Sequence, residues 1–321
     1  MIRRREFIAG LGGAAAWPVV TRAQEAGRTY RIGGLAAAPR TDGRYVVLFD
    51  ELRRAGFAEG RNLVVAGWEA RPEEFAERAA ELVRAKVDAL FCGGGNAAIR
   101  AAQQATATIP IVGMADDMVG SGLVRSLAYP GGNTTGVSIL ASELDVKRLE
   151  ILHQFVPGAR RIAVLADPTT ISTHAQLASA ARDLGVELVR FEASSLDEIS
   201  RALDVLALAK VEAMNVLASP TLFSNRRHII ARAAGLLLPA IYQWPEMAEE
   251  GGLLAYGPRN VQILRQIVAR LLVNVLQGVT PAELPVEQPS KFELVINLKT
   301  AKALGLSVPT NLLALADEVI E

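Results

Sequence analysis

Ala89-Leu90-Phe91-Cys92-Gly93-Gly94-Gly95-Asn96 opens the stretch 89–113, which decides the fold. Four consecutive apolar residues with no polar alternation read as a strand buried on both faces. The glycines let the chain turn sharply, and 96–107 follows as an alanine-rich segment without proline, the composition of a helix. A second apolar run, 109–113, returns as a strand. A strand, a helix and a strand in so short a span form a βαβ unit, hence neighbouring parallel strands with a crossover helix.

The same alternation extends in both directions. Upstream, strands are expected at 30–36 and 63–68, and downstream at 135–139. Between them Tyr45, Leu48, Phe49 and Leu52 fall at i, i+3, i+4 and i+7, and Phe75, Ala79, Leu82 and Val83 line a second helical face. A second series begins after Ile139, with helices expected at 142–155, 173–184, 196–209 and 222–234. Its strands are expected at 161–166, 186–191, 213–217, 240–242 and 253–256. One architecture is therefore used twice, without a residue-level repeat. The turn signals Pro130-Gly131-Gly132-Asn133 and Gly257-Pro258 are candidate places for the chain to cross between the two halves. The segment 259–277 carries a stripe of Val261, Leu264, Val268, Leu271, Leu272 and Val275, stopped by Gly278. An extended piece is expected at 280–289, a strand at 292–298, a short helix at 299–304 closed by Gly305, and a docked helix at 311–321.

A chain of 321 residues has room for two domains of ordinary size, and 50% apolar with 21% charged residues is a folding composition. Lys plus Arg and Asp plus Glu both number 34, which argues against a nucleic-acid-binding surface. Aromatics at 5% argue against stacking on single strands. The single cysteine, Cys92, excludes an intramolecular disulfide, and three scattered histidines make a zinc site a poor expectation.

The first residues read as an address. Met1-Ile2-Arg3-Arg4-Arg5-Glu6-Phe7 is basic, Ile8 to Val20 is apolar, and Thr21-Arg22-Ala23 suits cleavage after Ala23. The Arg4-Arg5 pair resembles a twin-arginine export signal. The apolar run, 13 residues with Pro18 inside it, is shorter than the ~20 a spanning helix needs. Removing 1–23 takes away four Arg and one Glu and leaves 30 basic and 33 acidic residues, a net charge of −3. A soluble periplasmic protein is expected.

The chain lacks a G-x-S-x-G elbow, a G-x-x-x-x-G-K-[ST] loop and an H-E-x-x-H pair, so an enzyme is not expected. No G-x-G-x-x-G follows the first strand, which disfavours a dinucleotide oxidoreductase, and no cofactor is expected. Polar loops do follow the strands, where open parallel sheets bind ligands. Arg40 lies after the first strand. Gly95 and Asn96 open a helix whose free N–H groups suit a carboxylate or phosphate. Asp116 and Asp117 suit an ammonium group, or one or both cap the next helix. In the second series Thr169, Ser172 and Ser219 offer hydroxyls, and Tyr242 and Trp244 are either an apolar wall for a ligand or ordinary packing residues.

Several segments together resemble the ABC-transporter substrate-binding proteins of the tryptophan/tyrosine type. They include Leu52-Arg53-Arg54-Ala55-Gly56-Phe57, Glu59-Gly60-Arg61-Asn62, and Ala105-Thr106-Ala107-Thr108-Ile109-Pro110-Ile111-Val112. They continue with Pro130-Gly131-Gly132-Asn133-Thr134-Thr135-Gly136-Val137-Ser138 and Leu238-Pro239-Ala240-Ile241-Tyr242. The longest is the run from Leu284-Pro285-Val286-Glu287-Gln288-Pro289 through Phe292-Glu293-Leu294-Val295-Ile296-Asn297 to Ala316-Asp317-Glu318. Two positions depart from the family habit: Asp117-Met118 stands where Asp-Pro is common, and Trp244-Pro245-Glu246 where Arg-Glu-Phe is common.

The resemblance implies an α/β type I periplasmic-binding-protein fold, with two Rossmann-like lobes of parallel sheet joined by three crossovers. The lobes expected are 28–139 with 257–283, and 140–256 with 284–321. It also implies a monomer that captures a small molecule, such as an amino acid or related carboxylate, in the cleft and delivers it to an ABC permease. A ligand-sensing module for a receptor is the alternative.

Overall fold

The computed structural model describes residues 27–168 and 174–321. The expected export signal and the candidates Thr169 and Ser172 lie outside the described residues.

The first lobe holds strands β1 (Tyr30–Leu35), β2 (Leu63–Ala66), β3 (Ala89–Cys92), β4 (Ile111–Ala115) and β5 (Thr134–Ser138), in the spatial order β2-β1-β3-β4-β5. All pair in parallel. Helices α1 (Gly43–Arg54), α2 (Phe75–Arg84) and α3 (Gly95–Ala105) make the crossovers. In the second lobe α4 (Ala141–Phe155) leads to β6 (Arg161–Ala166), α5 (His174–Leu184), β7 (Glu187–Glu192) and α6 (Leu196–Leu208). Then come β8 (Ala213–Val216), α7 (Pro220–Ser224), α8 (Arg226–Gly235), β9 (Ala240–Tyr242), α9 (Pro245–Glu249) and β10 (Leu254–Gly257). The chain continues through α10 (Asn260–Ile263), a π turn at Leu264–Val268 and α11 (Ala269–Leu276). It ends with β11 (Glu293–Asn297), α12 (Leu298–Ala303), α13 (Thr310–Leu315) and β12 (Glu318–Ile320).

The second sheet runs β12-β11-β10-β9-β8-β6-β7. Its part β7-β6-β8-β9-β10 repeats the order of the first sheet, and only β10–β11 is antiparallel. Both sheets reverse their winding beside the first strand of the series, between β1 and β3 and between β6 and β8. Loops at the carboxyl ends of strands on either side of such a reversal part and leave a crevice.

The chain passes from the first sheet to α4 at Leu140, which has a left-handed backbone (φ 58°) at the N-terminal cap of that helix. It returns after β10, since α1 packs against α10, the π turn and α11. On its last passage it follows the edge of β5: Glu287 donates its N–H to Gly136 O (2.9 Å) and accepts that of Ser138 (2.9 Å) before β11 begins. The turn at Pro130–Asn133 is no crossing point, because it leads from β4 into β5 of the same sheet. One buried cluster runs from Tyr45, Leu48 and Phe91 through Leu264 and Val268 to Phe223, Ile229 and Trp244, so the apolar interior is continuous between the lobes.

Three local expectations are corrected. The stretch 222–234 forms two helices, because Asn225 breaks the ladder and its side chain donates to Thr221 O (2.9 Å). The tail 311–321 is helical only to Leu315; Asp317 exchanges hydrogen bonds with Leu294 and β12 then adds to β11 as an edge strand. Finally, the helix at 259–277 contains the π turn, which widens the backbone where Leu264 is wholly buried.

Candidate functional site

Five loops at strand ends and the start of α1 converge on a cavity between the lobes. The first lobe contributes Arg44 and Tyr45 from α1, Gly93, Gly95 and Asn96 from the β3–α3 turn, Asp116 after β4, and Ile139 after β5. The second contributes Ser219, Pro220 and Phe223 around α7, and Gln243 and Trp244 after β9. Asn260 of α10 and Leu264 of the π turn line it from the connecting segment.

The β3–α3 turn is shaped by its glycines. Gly93 and Gly94 both donate their N–H to Leu35 O at 3.0 Å. Gly95 has φ +73°, and a Cβ there would come within 3.2 Å of Pro220 Cγ in the other lobe. The turn therefore needs glycine twice over, for its left-handed backbone and for the approach of the lobes. Asn96 donates through Nδ2 to Ser121 Oγ (2.9 Å) and its Oδ1 is buried without a hydrogen-bond partner among the described residues.

Facing it, Ser219 caps α7. Its Oγ accepts the N–H of Thr221 (3.0 Å) and of Leu222 (3.1 Å) and donates to Asp167 Oδ2 (2.7 Å). This hydroxyl is spent on shaping the loop, with its one proton committed to Asp167. Gln243 donates to Ser219 O (3.4 Å), leaving its Oε1 unpartnered and buried. Trp244 Nε1 and Asn260 Oδ1 are likewise buried without a partner among the described residues. The Trp244 ring meets Phe223 edge to face at 6.0 Å, and Tyr45 on the opposite side is held edge-on by Trp68 (5.1 Å) and Phe91 (5.9 Å).

Asp116 is 9% exposed, and its carboxyl has no hydrogen bond or ion pair among the described residues. Burial pushes the carboxyl up to about 8; the nearby Asp145, Asp167 and Asp117 add to the rise and Arg148 opposes it. A carboxyl so placed holds its proton near neutrality.

The structure therefore brings together Gly95, Asn96, Asp116, Ser219 and Trp244 and leaves three other candidates outside. Arg40 is ion-paired to Glu59 and lies 4.6 Å from the centre of the Phe49 ring. Asp117 turns to the backbone, accepting from Val119 N (3.1 Å) and Gly120 N (2.8 Å). Tyr242 points into the interior of the second lobe against Gly252, where burial pushes its hydroxyl up. Sequence reasoning missed Arg44, Tyr45, Phe223, Gln243 and Asn260. Asn260 left a signal, a polar residue one position before a strongly apolar helical stripe, and Phe223 another, one turn beyond the Ser219 cap.

Residues 38–320 match the family model described as ABC transporter substrate binding protein. A tyrosine-binding protein of Clostridioides difficile (strain R20291) is 28% identical over 283 residues, covering 86% of this chain and 80% of that one. A conserved domain protein of Vibrio cholerae superposes with a TM-score of 0.80 at 27% identity, over 91% of this chain and 99% of its own. The structure of an ABC domain in complex with L-Trp from Streptococcus pneumoniae superposes with a TM-score of 0.78 at 25% identity, over 91% and 100%.

Proposed function

The chain belongs to the family of ABC transporter substrate-binding proteins, and we propose that it captures an aromatic amino acid between its lobes. One observation carries this reading: Asn96 Oδ1, Gln243 Oε1, Asn260 Oδ1 and Trp244 Nε1 are buried without hydrogen-bond partners among the described residues, and with Asp116 they belong to residues of one cavity. Buried polar groups are nearly always satisfied, so a cluster of unsatisfied ones marks where a ligand supplies the missing partners. Three of these four are acceptors, which with the Asp116 carboxylate suits an ammonium group with three donors. The N-terminus of α3 suits the carboxylate. Tyr45, Phe223 and Trp244 suit an aromatic side chain. The tyrosine-binding relative and the L-Trp complex support the same class of ligand.

A ligand touching both lobes favours the closed arrangement by that differential contact. In this reading the protein acts as an exported monomer and hands its ligand to a membrane permease. Among the described residues no helix is long and apolar enough to cross a membrane.

Thermal melting with L-tyrosine, L-tryptophan, small carboxylates, purines and sugars tests the proposal. An amino acid at 100 times its Kd should add about 2.7 kcal/mol of stability. Asn96→Ala and Trp244→Ala should each weaken binding. Unchanged affinity in both would overturn the placement, and shifts only with non-amino-acid solutes would overturn the ligand class.

A further inference from the structure

Three buried acids from the two lobes lie close enough to interact. Asp116 follows β4, Asp145 lies in α4 and Asp167 follows β6; they are 9%, 3% and 2% exposed. Two of them are engaged by the protein. Asp145 is ion-paired to Arg148 of the same helix, whose Nη1 also donates to Tyr256 O (3.0 Å). Asp167 accepts from Ser219 Oγ. Asp116 is different: its backbone carbonyl accepts from Leu140 N (3.0 Å) and Ser138 Oγ (3.3 Å), while its carboxyl has no partner among the described residues. The other charged residue of the lining, Arg44, is ion-paired to Asp42. Asp117, the next residue, has its carboxylate turned to backbone N–H groups. Of the two buried arginines nearby, Arg148 is the one that acts on Asp116, and it is already paired to Asp145, while Arg44 is paired to Asp42. An uncompensated buried carboxylate is costly, and a proton removes the charge.

We propose that Asp116 takes up the ligand's ammonium group by proton exchange: the protein binds the cation and releases the proton that Asp116 carried. This rests on the reading that the ligand is an amino acid. The O–H bond of the carboxyl breaks, the proton passes to solvent, and the carboxylate accepts hydrogen bonds from the ammonium N–H groups. At Asp116 the ammonium's positive charge takes the place of the proton, while the ligand's carboxylate brings its negative charge to the N-terminus of α3. The site then selects for a protonated amine, and an analogue with an acylated nitrogen leaves the proton in place and binds poorly. With the Asp116 carboxyl lifted to about 8, its proton is present at neutral pH, and affinity should fall about tenfold per pH unit below that value.

Calorimetric titration of the purified protein with L-tryptophan and with L-tyrosine, in phosphate and in Tris at pH 7, measures the protons released. The wild type should release close to one per ligand, with Kd rising about tenfold from pH 7 to pH 6. Asp116→Asn should bind more weakly, release almost none, and lose the pH dependence. A second measurement uses no ligand. The folded protein holds a proton that the unfolded chain has given up, since the ordinary value for an aspartate is 3.8. Wild-type stability therefore carries a component that declines from pH 5 to pH 8, and Asp116→Asn lacks it. Binding without proton release, undiminished release in Asp116→Asn, or identical pH slopes of melting in the two proteins would each overturn the exchange alone. If neither amino acid binds the wild type, the ligand reading fails and the exchange falls with it.

Discussion

The guanidinium of Arg44 in the first lobe lies 4.6 Å from the centre of the Phe223 ring in the second, and Arg226 approaches the same ring at 4.4 Å. Asp42, the N-cap of α1, pairs with both cations, Arg44 at 3.2 Å and Arg226 at 3.4 Å. Arg44 also donates to Ser224 Oγ (3.4 Å). Two cations, one ring and one carboxylate therefore join the lobes at the edge of the cavity. A partly desolvated cation–π contact contributes about 0.5–2 kcal/mol. Arg44 with Phe223 and Ser224, and Asp42 with Arg226, meet only while the lobes are together, whereas Arg226 and Phe223 share the second lobe.

Arg226 is not part of the cavity lining, so it separates closure from ligand contact. Arg226→Met should weaken binding of the amino acid about three- to tenfold while shifting the melting temperature of the free protein little. Calorimetry gives the affinity, and small-angle scattering of the saturated protein reports whether the lobes still close. Unchanged affinity would show that the contact adds nothing to closure.

Gly136 constrains the first sheet more severely than any packing residue around it. It sits opposite Gly113 in the β4–β5 ladder with φ +150°, and a Cβ would lie 1.9 Å from Gly113 O. Neither the strand nor its neighbour yields without breaking the ladder that positions Asp116 and Ile139. Gly136→Ala should cost about 4 kcal/mol or more, among the largest effects of single substitutions. Gly158→Ala, with open space around the new methyl, is the control and should be near neutral. Urea unfolding of the two variants measures the difference.

How much of this was legible in the sequence differs from place to place for physical reasons. The β3–α3–β4 unit was readable because burial on both faces demands an unbroken apolar run and the turn demands glycine. The place of Asn96 and Asp116 in the cavity lining followed from their position after strands in a doubly wound sheet. Tyr242 and Trp244 were indistinguishable in sequence, since two aromatics two residues apart at a strand end look alike; the Pro245 helix start turns Trp244 to the cleft while Tyr242 stays in the lobe interior. Arg44 left no signal, and Phe223 and Asn260 only a positional one, because their meeting depends on how the lobes approach, which no local period encodes. The tail 316–321 failed for a related reason: the open edge of β11, distant in sequence, overrides local preference.

Glu212 closes the entrance of β6 electrostatically. Its carboxylate accepts the N–H of Arg160 (2.6 Å) and Arg161 (2.9 Å), and these hydrogen bonds, with the two guanidinium charges, hold its pKa below the ordinary 4.5. A lowered folded value means stability that is present above the unfolded pKa and lost as pH falls through the folded one. The group is exposed and solvent screens it, so the effect is small. Glu212→Gln should melt about 1–2 °C below the wild type at pH 7, and the gap should close below pH 4.5. A gap that persists at acid pH would assign the difference to packing rather than charge.

Asn260 offers the sharpest separation of binding from stability. It is 4% exposed in α10, and its Oδ1 lacks a partner among the described residues while lining the cavity. An unsatisfied buried acceptor destabilises the ligand-free protein by about 1–3 kcal/mol, a cost that a ligand donor removes on binding. Replacing it with an isosteric apolar residue should therefore move stability and affinity in opposite directions. Asn260→Leu is expected to raise the unfolding free energy of the ligand-free protein by about 1 kcal/mol and to weaken amino-acid binding about tenfold or more. Urea denaturation without ligand and calorimetry with L-tryptophan measure the two halves. A variant that is less stable and binds as before would make Asn260 a structural residue of the connecting helix and remove it from the binding site.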